Sequence, residues 1–113
     1  MRSAFEEANR PLSPEEVWEI AREEVEGLGL ATVYRNIKSL VEDGVLTQVE
    51  LVNEPPRYEI SGKGHHHHFR CNSCDKVFEL EGCLHDVDKL VPRGYQVSVH
   101  HLIFYGTCKV CNV

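Results

Sequence analysis

Four cysteines in two Cys-x-x-Cys pairs, Cys71/Cys74 and Cys108/Cys111, bracket the second half of this 113-residue chain, and four consecutive histidines, His65 to His68, stand just ahead of the first pair. Each pair offers two sulfurs from one tight turn, and two such pairs complete the tetrahedral shell of a Zn²⁺ ion. Buried thiols, a redox pair or a rubredoxin-like iron would use the same residue types. Turn-forming Asn72-Ser73 and the adjacent Gly106 favour zinc. The histidines lie too near Cys71 in sequence to join that shell without strain, so they make a second set. On an extended strand His66 and His68 share one face. Two imidazoles with carboxylates form a mixed nitrogen and oxygen site that suits Fe²⁺, Mn²⁺ or Zn²⁺. His65 and His67 fall on the opposite face.

The elements that must position these groups can be read in order. Ser3 to Asn9 reads as the end of a helix, stopped by Asn9-Arg10-Pro11. Ser13-Pro14-Glu15-Glu16 is a helix start, with Ser13 as cap, Pro14 in the first turn and Glu16 placed for a capping box. Val17, Ile20, Ala21, Val25 and Trp18 are expected on its buried side, and Gly27 and Gly29 end it. A second helix begins at about Thr32, with Val33, Ile37, Leu40 and Val41 at helical spacing, and Asp43-Gly44 closes it. Leu46 to Val52 alternates as a strand, Asn53-Glu54-Pro55-Pro56 turns, and Arg57 to Ile60 returns. Helix, helix and hairpin in that order make a winged helix-turn-helix. Ser61-Gly62-Lys63-Gly64 reads as a joint. Beyond it come strands at His65–Cys71 and Lys76–Leu80, a short helix carrying Leu84, Val87, Leu90 and Val91, and a long strand from Tyr95 to Tyr105. The fold class is therefore α+β. Residues 1–61 form the winged helix, 62–64 the joint and 65–113 a small α/β domain.

Composition limits the function. Net charge is −6, and residues 1–64 carry seven Lys/Arg against thirteen Asp/Glu while residues 65–113 carry five of each. An acidic first half argues against nonspecific polyanion binding, so any contact with nucleic acid must come from a local cluster. No apolar run approaches the roughly 20 residues of a membrane span, and Met1 opens no signal segment. Cysteines in short pairs, with Cys83 left over as a packed thiol, suit a reducing cytoplasm better than a disulfide scaffold. At this length a structural metal would add folding energy to a small core.

These residues together resemble the ferric uptake regulator family of metal-sensing repressors. The resemblance rests on Leu30-Ala31-Thr32-Val33-Tyr34-Arg35-Asn36, on Arg57-Tyr58-Glu59, on His65-His66-His67-His68-Phe69-Arg70-Cys71-Asn72-Ser73-Cys74, on His100-His101, and on Tyr105-Gly106-Thr107-Cys108-Lys109-Val110-Cys111. It covers roughly residues 10–111. It implies a DNA-reading winged helix, a C-terminal dimerisation domain, and metals at and near the joint. It places Glu59 and Glu79 with His66 and His68 in a regulatory site, and it allows a third site from His65, His67, His100 and either His85 or Asp86.

Three departures stand out. Family members usually begin with an additional helix before the winged helix, and this chain is expected to lack that leading helix and to start partway into the next one. The family often has a histidine ligand before the capping serine, where Arg10-Pro11-Leu12 stands here. It usually has glycine after the first cysteine pair, where this chain has Asp75.

The resemblance further implies that Tyr34, Arg35 and Lys38 read DNA, with Thr32 and Asn36 on phosphates and Arg57 near the wing. The expected protein is a cytoplasmic homodimeric repressor on a palindromic double-stranded operator. It would hold structural Zn²⁺ on four cysteines and a regulatory Fe²⁺, Mn²⁺ or Zn²⁺ at the joint. A small metalloenzyme using the His/Glu site, or a zinc-ribbon interaction module, are the competing classes.

Overall fold

A computed structural model of the chain describes residues 1–62, 66–80 and 87–112. Two compact units divide it, Met1–Lys63 and Gly64–Val113.

The first unit holds helices α1 (Arg2–Ala8), α2 (Pro14–Ala21) and α3 (Leu30–Glu42) and a hairpin of β1 (Leu46–Leu51) and β2 (Glu54–Ile60). Asn9 ends α1 in the left-handed conformation with φ 51°, which Asn tolerates better than most side chains. At α2 the capping box forms in full. Glu16 N–H donates to Ser13 Oγ at 3.1 Å, and Ser13 N–H donates to the Glu16 carboxylate at 3.1 Å. Helix α2 then stops at Ala21, well short of the glycines expected to end it. The indole N–H of Trp18 donates to the Leu28 carbonyl at 2.8 Å, and the Arg22 guanidinium lies 4.6 Å over the same ring. These contacts fold the acidic stretch after Ala21 back on the helix. Ile20 and Val25, expected inside, are exposed.

Helix α3 buries Val33 and Ile37 against Phe5, Leu12, Val17 and Leu46. Gly44 follows it at φ 79°, a conformation that costs glycine nothing. The wing turn is tighter than the proline pair had indicated. Asn53 takes φ 59°, Leu51 pairs with Glu54, and Pro55 and Pro56 lie inside β2. In a two-stranded ribbon one edge of β2 needs no donors, so the prolines are accommodated there. Leu12 and Tyr58 exchange backbone hydrogen bonds of 2.8 and 2.9 Å, which fastens the segment before α2 to the hairpin.

The second unit is a three-stranded sheet in the order β4-β3-β5, from β3 (His67–Cys71), β4 (Val77–Leu80) and β5 (Ile103–Gly106). Strand β3 runs antiparallel to β4 and parallel to β5. A 3-10 turn spans Val87–Leu90. The long strand expected from Tyr95 shortens to Ile103–Gly106, and Tyr95 and Val99 are exposed rather than packed on a face. Gly106 lets the Phe69 ring pack closely against the backbone. A Cβ there would meet the Phe69 ring at 3.1 Å.

Candidate metal centres and recognition helix

The two cysteine pairs converge. Cys71 ends β3, Cys74 follows one turn later, and Cys108 and Cys111 lie on the turn after β5, which is bonded alongside β3. All four sulfurs lie within 4.8 Å of one another, and none is in a disulfide. Cys71 Sγ is buried and accepts N–H donors from Cys74 at 3.5 Å and Cys108 at 3.4 Å. Those donors hold the Cys71 thiol down to about 6, and backbone donors near Cys111 lower Cys108 as well. Cys111 is pushed up to about 12, first by its hydrogen bond to Cys108 and then by burial and the neighbouring sulfurs. Four thiolates this close cannot all ionise without a cation among them. The donor set therefore fits a soft dication in tetrahedral geometry.

At the start of β3, with His66 just ahead of the strand, the histidines separate by face. His66 and His68 stack edge to face with centroids 4.9 Å apart, and His68 stands directly opposite Glu79 on β4. Cross-strand partners point the same way, so His68 and Glu79 lie on one surface of the sheet. His67 is buried, and its Nε2 lies 3.2 Å from Nε2 of His100 with the rings 5.0 Å apart. His65, Cys83, His85 and Asp86, and with them the remaining members of the third site, fall outside the described residues. In the first unit Glu59 sits near the end of β2, paired with Thr47 and only 4% exposed, an uncommon setting for a carboxylate.

Helix α3 turns Tyr34, Arg35, Asn36 and Lys38 outward, opposite the buried Val33 and Ile37. The Tyr34 hydroxyl donates to Glu15 at 2.9 Å, which raises its pKa above the usual phenol value. Arg35 donates to Thr32 Oγ1 at 3.1 Å and Asn36 to Met1 Sδ at 3.5 Å. Arg57 is placed differently from the other cations named for DNA. Its side chain is 11% exposed and donates to Glu16 at 3.1 Å, and the other oxygen of Glu16 takes Arg10 at 2.8 Å. The Ser13-x-x-Glu16 spacing marks Glu16 only as part of a cap. Nothing in the spacing signals that two arginines, one of them 41 residues away, would share it.

A winged-helix unit followed in one chain by a four-sulfur cluster joins a DNA-reading fold to a metal-binding one, and with the family match it makes the chain a metal-responsive transcriptional regulator. The chain matches the Ferric uptake regulator family over residues 2–105 and belongs to it. It is 33% identical to the ferric uptake regulation protein of Bacillus subtilis strain 168, across 99% of this chain and 79% of that one. It resembles the solved iron-bound ferric uptake regulator of Francisella tularensis with a TM-score of 0.75 and 27% identity, covering 97% of this chain and 86% of that one. A zinc-bound manganese uptake regulator shares the fold at a TM-score of 0.77 and 21% identity, covering 95% and 86%.

Proposed function

We propose that this protein is a dimeric repressor whose binding to a palindromic operator depends on a divalent metal. Cys71, Cys74, Cys108 and Cys111 hold structural Zn²⁺. Glu59, His66, His68 and Glu79 hold the regulatory ion, Fe²⁺ or Mn²⁺ in preference to Zn²⁺ because no thiolate takes part. His65, His67, His85 and His100 contribute a further site. The family is one of transcription regulators, and we read the His/Glu centre as regulatory rather than catalytic.

The observation that carries this reading is the paired imidazoles of His66 and His68, with His68, on the strand that ends at the first zinc cysteine, opposite Glu79 on β4. Residues 1–61 read DNA, 62–64 are the joint, and 65–113 dimerise. Glu59 stands on the other side of the joint from its fellow ligands. Occupancy would then favour one relative placement of the two domains, to the extent that metal binds that placement more tightly. In the favoured placement two copies of α3 would sit about one helical turn of DNA apart, or a multiple of that. Tyr34, Arg35 and Lys38 would meet base edges and phosphates, with Thr32 and Asn36 on phosphates, while Arg57 braces the wing.

Dimerisation has its own support. Leu90 and Val99 are 85% and 71% exposed in the single chain, Phe104 is also exposed, and β5 is an edge strand. The test is retardation of a duplex selected from a randomised pool. Retardation should vanish on chelation and return with Fe²⁺ or Mn²⁺. Retardation indifferent to both would overturn the reading.

A further inference from the structure

The first cysteine turn carries a charged pair that the metal assignments leave unexplained. Asp75 follows Cys74 with φ 64°, in the left-handed region that favours glycine. It is no glycine, and its side chain is engaged. Arg70 Nη1 donates to Asp75 Oδ1 at 3.0 Å and to the carbonyl of Cys71 at 2.7 Å. That same carbonyl accepts the Asp75 N–H at 3.0 Å, and Cys71 N–H donates to Lys76 at 2.9 Å. The guanidinium is almost wholly buried while the carboxylate faces solvent, at 11% and 70% exposure. One buried cation thus closes the turn from both ends, through the backbone of a ligand cysteine and through the residue that ends the loop. A zinc ion with four thiolates carries net negative charge, so a guanidinium bonded to the ligand's own carbonyl also offsets that charge.

We propose that Arg70 and Asp75 form a latch on the first knuckle that fixes Cys71 and Cys74 for zinc and so sets how firmly the four-cysteine site retains it. Both are positioning residues, acting through Cys71. Groups that orient metal ligands in this way are commonly worth about 10–100-fold in affinity. The inference rests on reading the four cysteines as a zinc site.

Competition between zinc-loaded protein and a chromogenic chelator tests it, with helix content followed in parallel. Asp75→Gly is the decisive variant. Glycine suits the φ better than aspartate, so if backbone conformation alone mattered the variant would hold zinc as tightly as the parent, or more tightly. The latch predicts about tenfold weaker retention. Asp75→Asn, which tolerates the conformation and keeps an acceptor oxygen, should fall between them. Arg70→Met, which also loses the bond to the Cys71 carbonyl, should weaken retention at least as much as Asp75→Gly, and the double variant should be no weaker than Arg70→Met alone. Because Asp75 is exposed, its two variants decide the matter even where Arg70→Met fails to fold. Parental retention by Asp75→Gly overturns the latch alone. Absence of zinc from the parent chain overturns the four-cysteine reading, and the latch with it.

Discussion

Cys74 Sγ lies 3.9 Å from Cys108 Sγ, although 34 residues separate them. A disulfide would need about 2.05 Å, whereas the edge of a tetrahedron with Zn–S bonds of about 2.3 Å is about 3.8 Å. The turn after β3 and the turn after β5 are brought together by the parallel pairing of those strands, in which Cys71 aligns with Gly106. The pairing of β3 with β5 therefore places the sulfurs at a spacing that suits zinc.

Replacing Cys108 by serine should remove one zinc per chain and unfold the second unit. Binding at structural zinc sites is worth on the order of 10–16 kcal/mol, comparable with or larger than the ~5–15 kcal/mol that stabilises a whole domain. Elemental analysis and circular dichroism check this. Retained zinc at full stoichiometry would exclude Cys108 as a ligand.

Zinc uptake should depend steeply on pH. At neutral pH the Cys71 thiol, held at about 6, is already ionised, while Cys111, near 12, keeps its proton until metal displaces it. Binding therefore releases protons, and affinity rises with pH. Chelator competition between pH 8 and 5 should show affinity collapsing at the acid end. A flat profile would argue against ionised thiolate ligands.

His66→Ala should leave zinc and fold intact and abolish the response to a second metal. Affinity for Fe²⁺ or Mn²⁺ should fall by roughly tenfold or more, and operator retardation should no longer return on resupply. Calorimetric titration alongside retardation assays checks both halves of that expectation.

On α3, Arg35→Ala should cost about 1–3 kcal/mol and relax base preference at one position. Lys38→Ala should weaken all sequences alike and reduce the salt slope by about 1. Equal salt slopes for parent and Lys38→Ala would remove Lys38 from the phosphate contacts.

Glu16→Ala removes a cap acceptor and the shared partner of Arg10 and Arg57 at once. Loss of the cap alone costs about 1 kcal/mol, and the removal of one largely buried ion-pair partner from both Arg10 and Arg57 adds to it. Urea unfolding followed by Trp18, the single tryptophan, should show a loss greater than that of Ser13→Ala, which affects the cap only.

Much of this was legible because it is local. A capping box needs residues three apart, a cysteine knuckle needs Cys-x-x-Cys, and alternation alone puts His66 and His68 on one face with His67 on the other. The limits of α2, the wing turn and the strand before β5 were not legible. Trp18 reaching Leu28 ends α2 where periodicity would have continued it. Asn53 in the left-handed region leaves the prolines in the strand. Tyr95 to Tyr105 has strand-forming residues, but only Ile103–Gly106 finds a partner in β3.

The chain's own order of residues determined which atoms are available to metals and to DNA, because ligand chemistry belongs to side-chain type and knuckle geometry to short spacing. Tertiary structure alone decided that sulfurs 34 residues apart meet, that His67 faces His100, and that Arg57 turns inward to Glu16 instead of outward. Those outcomes depend on strand register and on burial, which are set by packing across the whole unit rather than by any short stretch of sequence.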